Sequence, residues 1–355
     1  MGYVKLSSFS KNTRNELEQA LVDLEEQGMK GLVLDLRYNP GGLLQAATSV
    51  SELFLDKDQL VVYTKGRYAQ NNNKYYASKS RKYKEYPIVI MVNGASASAS
   101  EIVAGAVQDW DAGLIVGQTS FGKGTVQTVF SLSDSQAVKL TTAKYYTPSG
   151  RSIHTDHRKK DADAVTADSE STDGDGSDDV SSTEPGSMTQ TADNIEIGDA
   201  DRPVFHTASG RVVYGGGGIT PDLEFEVREY GELERRLAGG GLFFSFAVQH
   251  STNHDVTEDF EVTNQVVDDF KRMLKDREFE FEDDEFVGDS LDYIKRAIRS
   301  EMMTKNFGRQ AGYRVQLEQD PDFQEVLRIF GNHRTLEAMF SYADQQKELK
   351  KASLR

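Results

Sequence analysis

Two apolar runs, Gly31-Leu32-Val33-Leu34-Asp35-Leu36 and Ile88-Val89-Ile90-Met91-Val92, constrain this chain more than any other feature. Neither alternates with polar residues, so neither suits a strand with one face in water. Such runs belong to strands buried on both faces, as in a parallel sheet covered by helices. Each is followed by a glycine-bearing turn, Asn39-Pro40-Gly41-Gly42 or Asn93-Gly94, and each turn opens a helix-forming stretch. Repeated strand, turn and helix predict an α/β fold. In such folds ligands bind where the βα turns gather, so both turns are expected on one rim.

The remaining pattern fills in around that frame. A strand is expected over residues 3–6, then a helix carrying Leu17, Leu21 and Leu24 that Gly28 ends. A second helix is expected over 43–54, a strand over 60–64, and a third helix over 98–110. The tyrosine-rich stretch 67–86 reads as a hairpin or surface excursion. Strands follow at 114–116, 127–130 and 137–142, giving a layered core with a largely parallel sheet over the first 150 residues. From Asp161 to Asp201 there is no Lys, Arg or aromatic residue. Such a stretch buries too little apolar surface to offset its ordering entropy, so residues 154–202 read as an acidic, disordered insertion. Structure resumes with a hairpin around Ser209-Gly210 and a glycine loop, Gly215 to Asp222. From 232 onward the pattern is helical and amphipathic. The expected division is therefore a core over 1–153, the insertion, return strands over 203–231, and a helical region over 232–355.

Charge and composition exclude several functions. With 57 acidic against 41 basic residues the net charge is −16, which argues against nucleic acid as a partner. Cysteine is absent, which removes thiol catalysis, zinc-thiolate sites and disulfides. No run approaches the ~18–20 apolar residues that span a bilayer. The chain starts inside a strand, which reads as part of something longer.

The stretch Asn93 to Gln127 carries the chemistry. Ser98-Ala99-Ser100-Glu101 fits a capping box, a structural role for a serine at a helix start. The same position lies beside free backbone N–H groups and the positive end of the helix dipole, which can stabilise an oxyanion. Histidines are poorly placed for a triad: His154 and His157 border the insertion, and the other four lie beyond 203. His250 and His254 stand four apart but lack a third ligand. Lys123, between Gly122 and Gly124, is the better base. A lysine base must be neutral, so its amine is expected to be buried, with Phe121 and Val126 as walls and Gln127 as an uncharged hydrogen-bond partner. A solvated loop lysine is the plain alternative. A phosphate loop is discounted because the Gly-Lys-Ser/Thr ending is missing. The Gly41-Gly42 turn is either a tight βα turn or a second oxyanion donor facing Ser98.

Together these segments resemble the C-terminal processing peptidases, or tail-specific proteases. The resemblance runs through Leu34 to Gly42, Val92 to Ala106, Gly117 to Val126 and Leu140 to Ile153, and resumes at Gly217-Gly218-Ile219-Thr220-Pro221-Asp222. It implies a serine endopeptidase on a crotonase-like (ClpP/crotonase) α/β core, acting through a Ser/Lys dyad without a cofactor or metal. The nucleophile is then Ser98 and the base Lys123, 25 positions further on, with Gln127 orienting it. The oxyanion donors are then the N–H of Ala99 and of Gly41 or Gly42. The implied partners are protein or peptide substrates with free C-termini, a homo-oligomer being left open. The implied location of the full-length protein is the periplasm or cell envelope. Family members usually carry a PDZ domain ahead of the first strand, which binds C-termini by strand addition and which is not expected within residues 1–355. Two rival expectations are an inactive peptide-binding scaffold and a crotonase-like acyl-transfer enzyme.

Overall fold

The computed structural model describes residues 1–80, 83, 86–155, 202–227 and 229–353. The expected insertion, save its flanks 154, 155 and 202, lies outside these residues, as does His157.

Both apolar runs lie inside one sheet. Strands β1 (Gly2–Lys5), β2 (Leu32–Asp35), β5 (Ile88–Val92), β6 (Leu114–Gly117) and β11 (Leu223–Glu224) are ordered β1-β2-β5-β6-β11, and every neighbouring pair is parallel. All residues of β2 and β5 are buried, as the unbroken apolar pattern requires. Helices α1 (Thr13–Glu26), α2 (Leu44–Ser51) and α3 (Ala99–Asp109) follow β1, β2 and β5. Leu17 and Leu21 of α1 enter the same core as Leu32, Leu34, Ile88 and Ile90. All eleven residues of α3 are buried; its alanines and Gly105 let neighbouring elements approach closely. The expected helix over 43–54 is shorter than its apolar pattern. Past Ser51 the chain tightens into three-residue turns, Leu53 N–H to Val50 O and Phe54 N–H to Ser51 O.

The later strands form their own sheet rather than extending the parallel one. Strands β3 (Leu60–Gly66), β4 (Lys74–Tyr76), β7 (Thr125–Ser131) and β8 (Ala137–Tyr146) are ordered β4-β3-β8-β7, all antiparallel. The five residues between β7 and β8 permit a hairpin, whereas a parallel pair needs a long crossover. Burial alternates on this sheet: Val62, Thr64, Ala143 and Tyr145 face inward, and Tyr63, Lys65, Lys144 and Tyr146 face outward. The tyrosine-rich stretch supplies β4, the sheet's edge. Strands β9 (Val204–His206) and β10 (Val212–Tyr214) form the expected hairpin, turning through Gly210 at φ +90°.

The chain divides into two compact units, residues 1–224 with 335–355, and residues 225–334. The second unit contains α4 (Glu232–Ala238), α5 (Leu242–Asn253), α6 (Asn264–Asp276), α7 (Gly288–Phe307), α8 (Arg309–Glu318) and α9 (Pro321–Asn332). Its core gathers Leu237, Phe246, Phe270, Leu274, Ile294 and Ile298. The last helix, α10 (Leu336–Ser353), belongs to the first unit. It buries Met339 and Ala343, sets Phe340 3.8 Å beneath the Arg211 guanidinium, and pairs Lys350 with Glu224 at 3.1 Å. Among the described residues no helix is long and apolar enough to cross a membrane.

Candidate active site

Ser98 lies between β5 and α3 with φ +54° and ψ −108°. A positive φ is uncommon outside glycine and costs roughly 1–2 kcal/mol. A serine on a strained strand-to-helix turn presents its hydroxyl above the sheet, a geometry that suits a nucleophile. Ser98 is half-buried, and its hydroxyl makes no cap hydrogen bond. Of the expected capping box, the Glu101 half is formed: Oε2 accepts the Ser98 N–H at 2.7 Å.

Polar side chains hold the strained turn by joining it to the other βα turn. Ser96 Oγ donates to Leu36 O at 2.8 Å and accepts from Asn93 N–H at 2.9 Å. Asn39 O accepts both the Ala97 N–H, at 3.0 Å, and the Ser100 hydroxyl, at 2.9 Å. Asn93 Oδ1 accepts the Tyr38 N–H at 2.9 Å. The two turns therefore share one rim, as the repeated pattern requires.

The expected oxyanion donors are adjacent. Ala99 is the first residue of α3, where a helix leaves N–H groups unsatisfied, and its N–H has no hydrogen bond among the described residues. Gly41 lies against it at φ +99°. A Cβ there would fall 2.8 Å from Ala99 N, 2.9 Å from Ser98 Cβ and 2.6 Å from Ala97 O. The Gly41 N–H, however, already donates to Asn39 Oδ1 at 2.9 Å. The Gly42 N–H has no hydrogen bond among the described residues, while the Gly42 backbone packs tightly on Phe9.

Lys123 departs from its expected environment. Gly122 and Gly124 do pack tightly, against Thr155 and His154. That packing draws the loop backbone inward and leaves the lysine side chain exposed. Among the described residues no hydrogen bond joins its ammonium to Ser98 or Gln127. Gln127 is also exposed, on β7 just past a register shift between Val126 and Gln127. Phe121 and Val126 are half-buried, so the apolar walls exist without enclosing the amine. The physical reason is the cost of burying an ammonium that has no acceptor beside it. Ser98, Ala99 and Gly41 are thus brought together, whereas the Lys123 and Gln127 side chains are not brought to them.

The link between serine and lysine loop is a residue that the sequence marked only as a cap. Glu101 is fully buried. Its Oε2 accepts the N–H groups of Ser98 and Lys123, at 2.7 and 2.9 Å. Its Oε1 accepts the Ser120 hydroxyl at 2.5 Å and the Gly122 N–H at 2.7 Å. Burial pushes the Glu101 carboxyl above the ordinary carboxylate range, against the opposing pull of those four donors. Ser120 Oγ in turn accepts the Ile219 N–H at 2.7 Å, tying in the Gly217–Asp222 loop.

Two buried ion pairs were also missed. Asp35, inside the apolar run, is fully buried, bonded by the Arg37 guanidinium at 2.8–3.1 Å and by Tyr3 OH at 2.8 Å. An aspartate in a doubly buried strand is itself the signal, since an unpaired charge there is prohibitive. Arg151, fully buried, donates to Asp109 Oδ1 at 2.8 Å and Gln108 Oε1 at 2.6 Å, anchoring the far end of α3. His250 and His254 lie in the second unit with rings stacked at 4.3 Å. Among the described residues no group of three or more His, Cys, Asp or Glu is arranged to hold a metal.

Comparison with known proteins places this geometry in context. Residues 1–164 match the family model described as Peptidase family S41, and residues 233–287 match one described as Probable PDZ-protease, C-terminal helical domain. The chain is 47% identical over 157 residues to a carboxy-terminal-processing protease of Bartonella bacilliformis, covering 43% of this chain and 36% of that protein. It is 45% identical over 154 residues to a carboxyl-terminal-processing protease of Synechocystis sp., covering 43% and 35%. Among solved structures it is similar to a photosystem II D1 C-terminal processing protease, with 41% identity, a TM-score of 0.40, and coverage of 43% and 39%. The chain thus spans about a third of the length of the curated relatives it matches.

Proposed function

We propose, from the kinship of residues 1–164 with peptidase family S41 and the carboxy-terminal-processing proteases, that this chain is a serine endopeptidase acting near the C-termini of protein substrates. The observation that carries the reading is the Ser98 turn: a serine at positive φ, beside an Ala99 N–H that has no acceptor among the described residues. Ser98 Oγ attacks the scissile carbonyl, and the Lys123 amine takes the hydroxyl proton. The carbonyl oxygen becomes an oxyanion held by the Ala99 N–H and by a donor of the Gly41-Gly42 turn. When the tetrahedral intermediate collapses, Lys123 returns the proton to the leaving amine and Ser98 keeps the acyl group. Water, deprotonated by Lys123, then releases the acid product.

Lys123 must leave solvent for this role. A bound substrate covers the rim, strips water from the amine and disfavours its charged form. Glu101 already fixes the backbone from which the lysine reaches. Gln127 holds the neutral amine without adding a charge. The reading includes a crotonase-like layering of the parallel core, a division into 1–153, 154–202, 203–231 and helices from 232 onward of which the last joins the first unit, and a full-length protein of the periplasm or cell envelope. It also includes recognition of free C-termini, with self-association left to measurement.

The test is cleavage of an unfolded protein by the wild type, Ser98→Ala and Lys123→Ala, with circular dichroism to verify folding. Both variants are expected to be inactive and folded, and activity is expected to survive a chelator. Full activity in either variant sinks the assignment. Turnover by none, with peptide binding retained, favours the scaffold alternative.

A further inference from the structure

The outward face of the β4-β3-β8-β7 sheet has a charge opposite to that of the whole chain. Between Gln59 and Lys84 the sequence has seven Lys or Arg residues and no Asp or Glu, within a protein of net charge −16. Three lysines from adjacent strands point the same way. Lys65 on β3 pairs in register with Lys144 on β8, and Lys74 on β4 pairs with Tyr63, two residues before Lys65. All three are exposed. None forms an ion pair among the described residues. Like charges directly opposite each other on a sheet are destabilising, and among the described residues no carboxylate neutralises this pair.

The centre of the face is aromatic. Tyr63 and Tyr146 stack at 5.1 Å with 16° between their planes, and Lys65 Nζ stands 5.3 Å from each ring. This arrangement holds one ammonium in place and leaves its outer side open to an anion. The face is continuous with the candidate active site. Thr125 on β7, two residues after Lys123, pairs with Lys144, and Tyr145 N–H donates to Gly124 O at 2.8 Å.

We propose that the Lys65, Lys74 and Lys144 face, with its Tyr63–Tyr146 stack, docks an acidic stretch of the polypeptide substrate whose scissile bond lies at Ser98. The proposal rests on the proteolytic reading, because continuity with the lysine loop makes this face the path of a chain leaving the site. Carboxylates neutralise the lysines, and aromatic or aliphatic side chains between them lie on the tyrosine pair. A polypeptide is favoured over nucleic acid because the net charge of −16 repels a long polyanion, while three lysines suffice for a short acidic segment.

Binding and cleavage separate this inference from the functional reading. Two fluorescent twelve-residue peptides, one with three Asp or Glu residues and one with Asn or Gln in their places, are titrated against the Ser98→Ala full chain. The acidic peptide is expected to bind about ten-fold tighter at low salt, with the advantage shrinking toward 0.5 M salt. The triple variant Lys65→Gln, Lys74→Gln, Lys144→Gln, exposed throughout and therefore expected to fold, should abolish the preference. With wild-type Ser98, the same triple variant should raise KM for the acidic peptide and leave kcat unchanged. Equal affinity for the two peptides, or a preference that survives the triple variant, overturns the proposal. So does a DNA duplex of matched charge binding as tightly as the acidic peptide. A ten-fold gain in acidic-peptide affinity on deleting residues 161–201 would reassign the face to the chain's own acidic segment. Charge-selective binding without cleavage overturns the proteolytic reading and the substrate role, while an active enzyme indifferent to peptide charge overturns only this inference.

Discussion

Replacing Glu101 tests whether one buried carboxylate holds the serine turn and the lysine loop together. Four donors converge on it, three backbone N–H groups and the Ser120 hydroxyl, at 2.5–2.9 Å. Hydrogen bonds to a charged group contribute about 1.5–3 kcal/mol each in mutational series. Glu101→Gln keeps one acceptor oxygen and turns an amide NH2 toward donors it cannot satisfy, so about two of the four bonds are lost. Removing a buried charge returns part of that cost. The net expectation is about 2–3 kcal/mol for Gln and about 4 kcal/mol for Ala, which also leaves an unfilled space. Trp110, the only tryptophan of the chain, lies one residue past α3 in the first unit, and its indole donates to Leu60 O at 2.8 Å. Its fluorescence therefore follows unfolding of the unit that contains the site. With a urea slope of about 2 kcal/mol per molar, the Gln midpoint should fall by about 1–1.5 M. Peptide cleavage should lose kcat by about 100-fold with little change in KM, because the reacting groups are misplaced rather than the substrate released. A midpoint shift below about 0.3 M, or wild-type kcat, would refute the idea that this carboxylate organises the site.

Three further outcomes follow from particular contacts. Gly41→Ala places a Cβ against Ala97 O, Ala99 N and Ser98 Cβ at a φ that L residues avoid, so a loss of about 2 kcal/mol or more and of cleavage is expected by urea titration and peptide assay. Arg151→Met leaves the buried Asp109 without its counter-charge, the Ser149 N–H alone still donating to it, which should cost about 3–5 kcal/mol in the same Trp110 titration. In the second unit burial and the stacked His254 hold the His250 pKa below its ordinary 6.5, against the pull of Asp269. The unfolded chain therefore takes up that proton first. Stability is full above pH 6.5 and falls as the pH drops through that value toward the lower folded pKa. Thermal unfolding followed by helical circular dichroism at several pH values should show this loss, and His250→Phe should flatten it.

Several features were legible in the sequence because they depend on local pattern. The unbroken apolar runs specified doubly buried strands, and Gly28 and Gly210 specified chain reversals. Ser98 was identifiable as a helix-start serine, though not its φ of +54°. The turn is held by hydrogen bonds that Asn39 O and Glu101 Oε2 accept and that Ser96 Oγ donates, with partners up to 61 positions away. The antiparallel sheet was hidden because an exposed strand with alternating burial does not reveal which strand it will pair with.

The opening pattern also shows what the chain alone determined. Apolar continuity at 32–36 and 88–92 dictates burial on both faces, and burial on both faces dictates a parallel sheet with its turns on one rim. Which groups meet on that rim is a separate matter. Gly41 touches Ser98 across 57 positions of sequence, and Glu101 reaches Lys123 across 22. Tertiary structure also overrode the expected burial of Lys123: packing Gly122 on Thr155 and Gly124 on His154 turned its side chain toward water. Periodicity records which residues avoid water, and so determines layers. Which buried polar group finds which donor depends on how those layers come together in three dimensions.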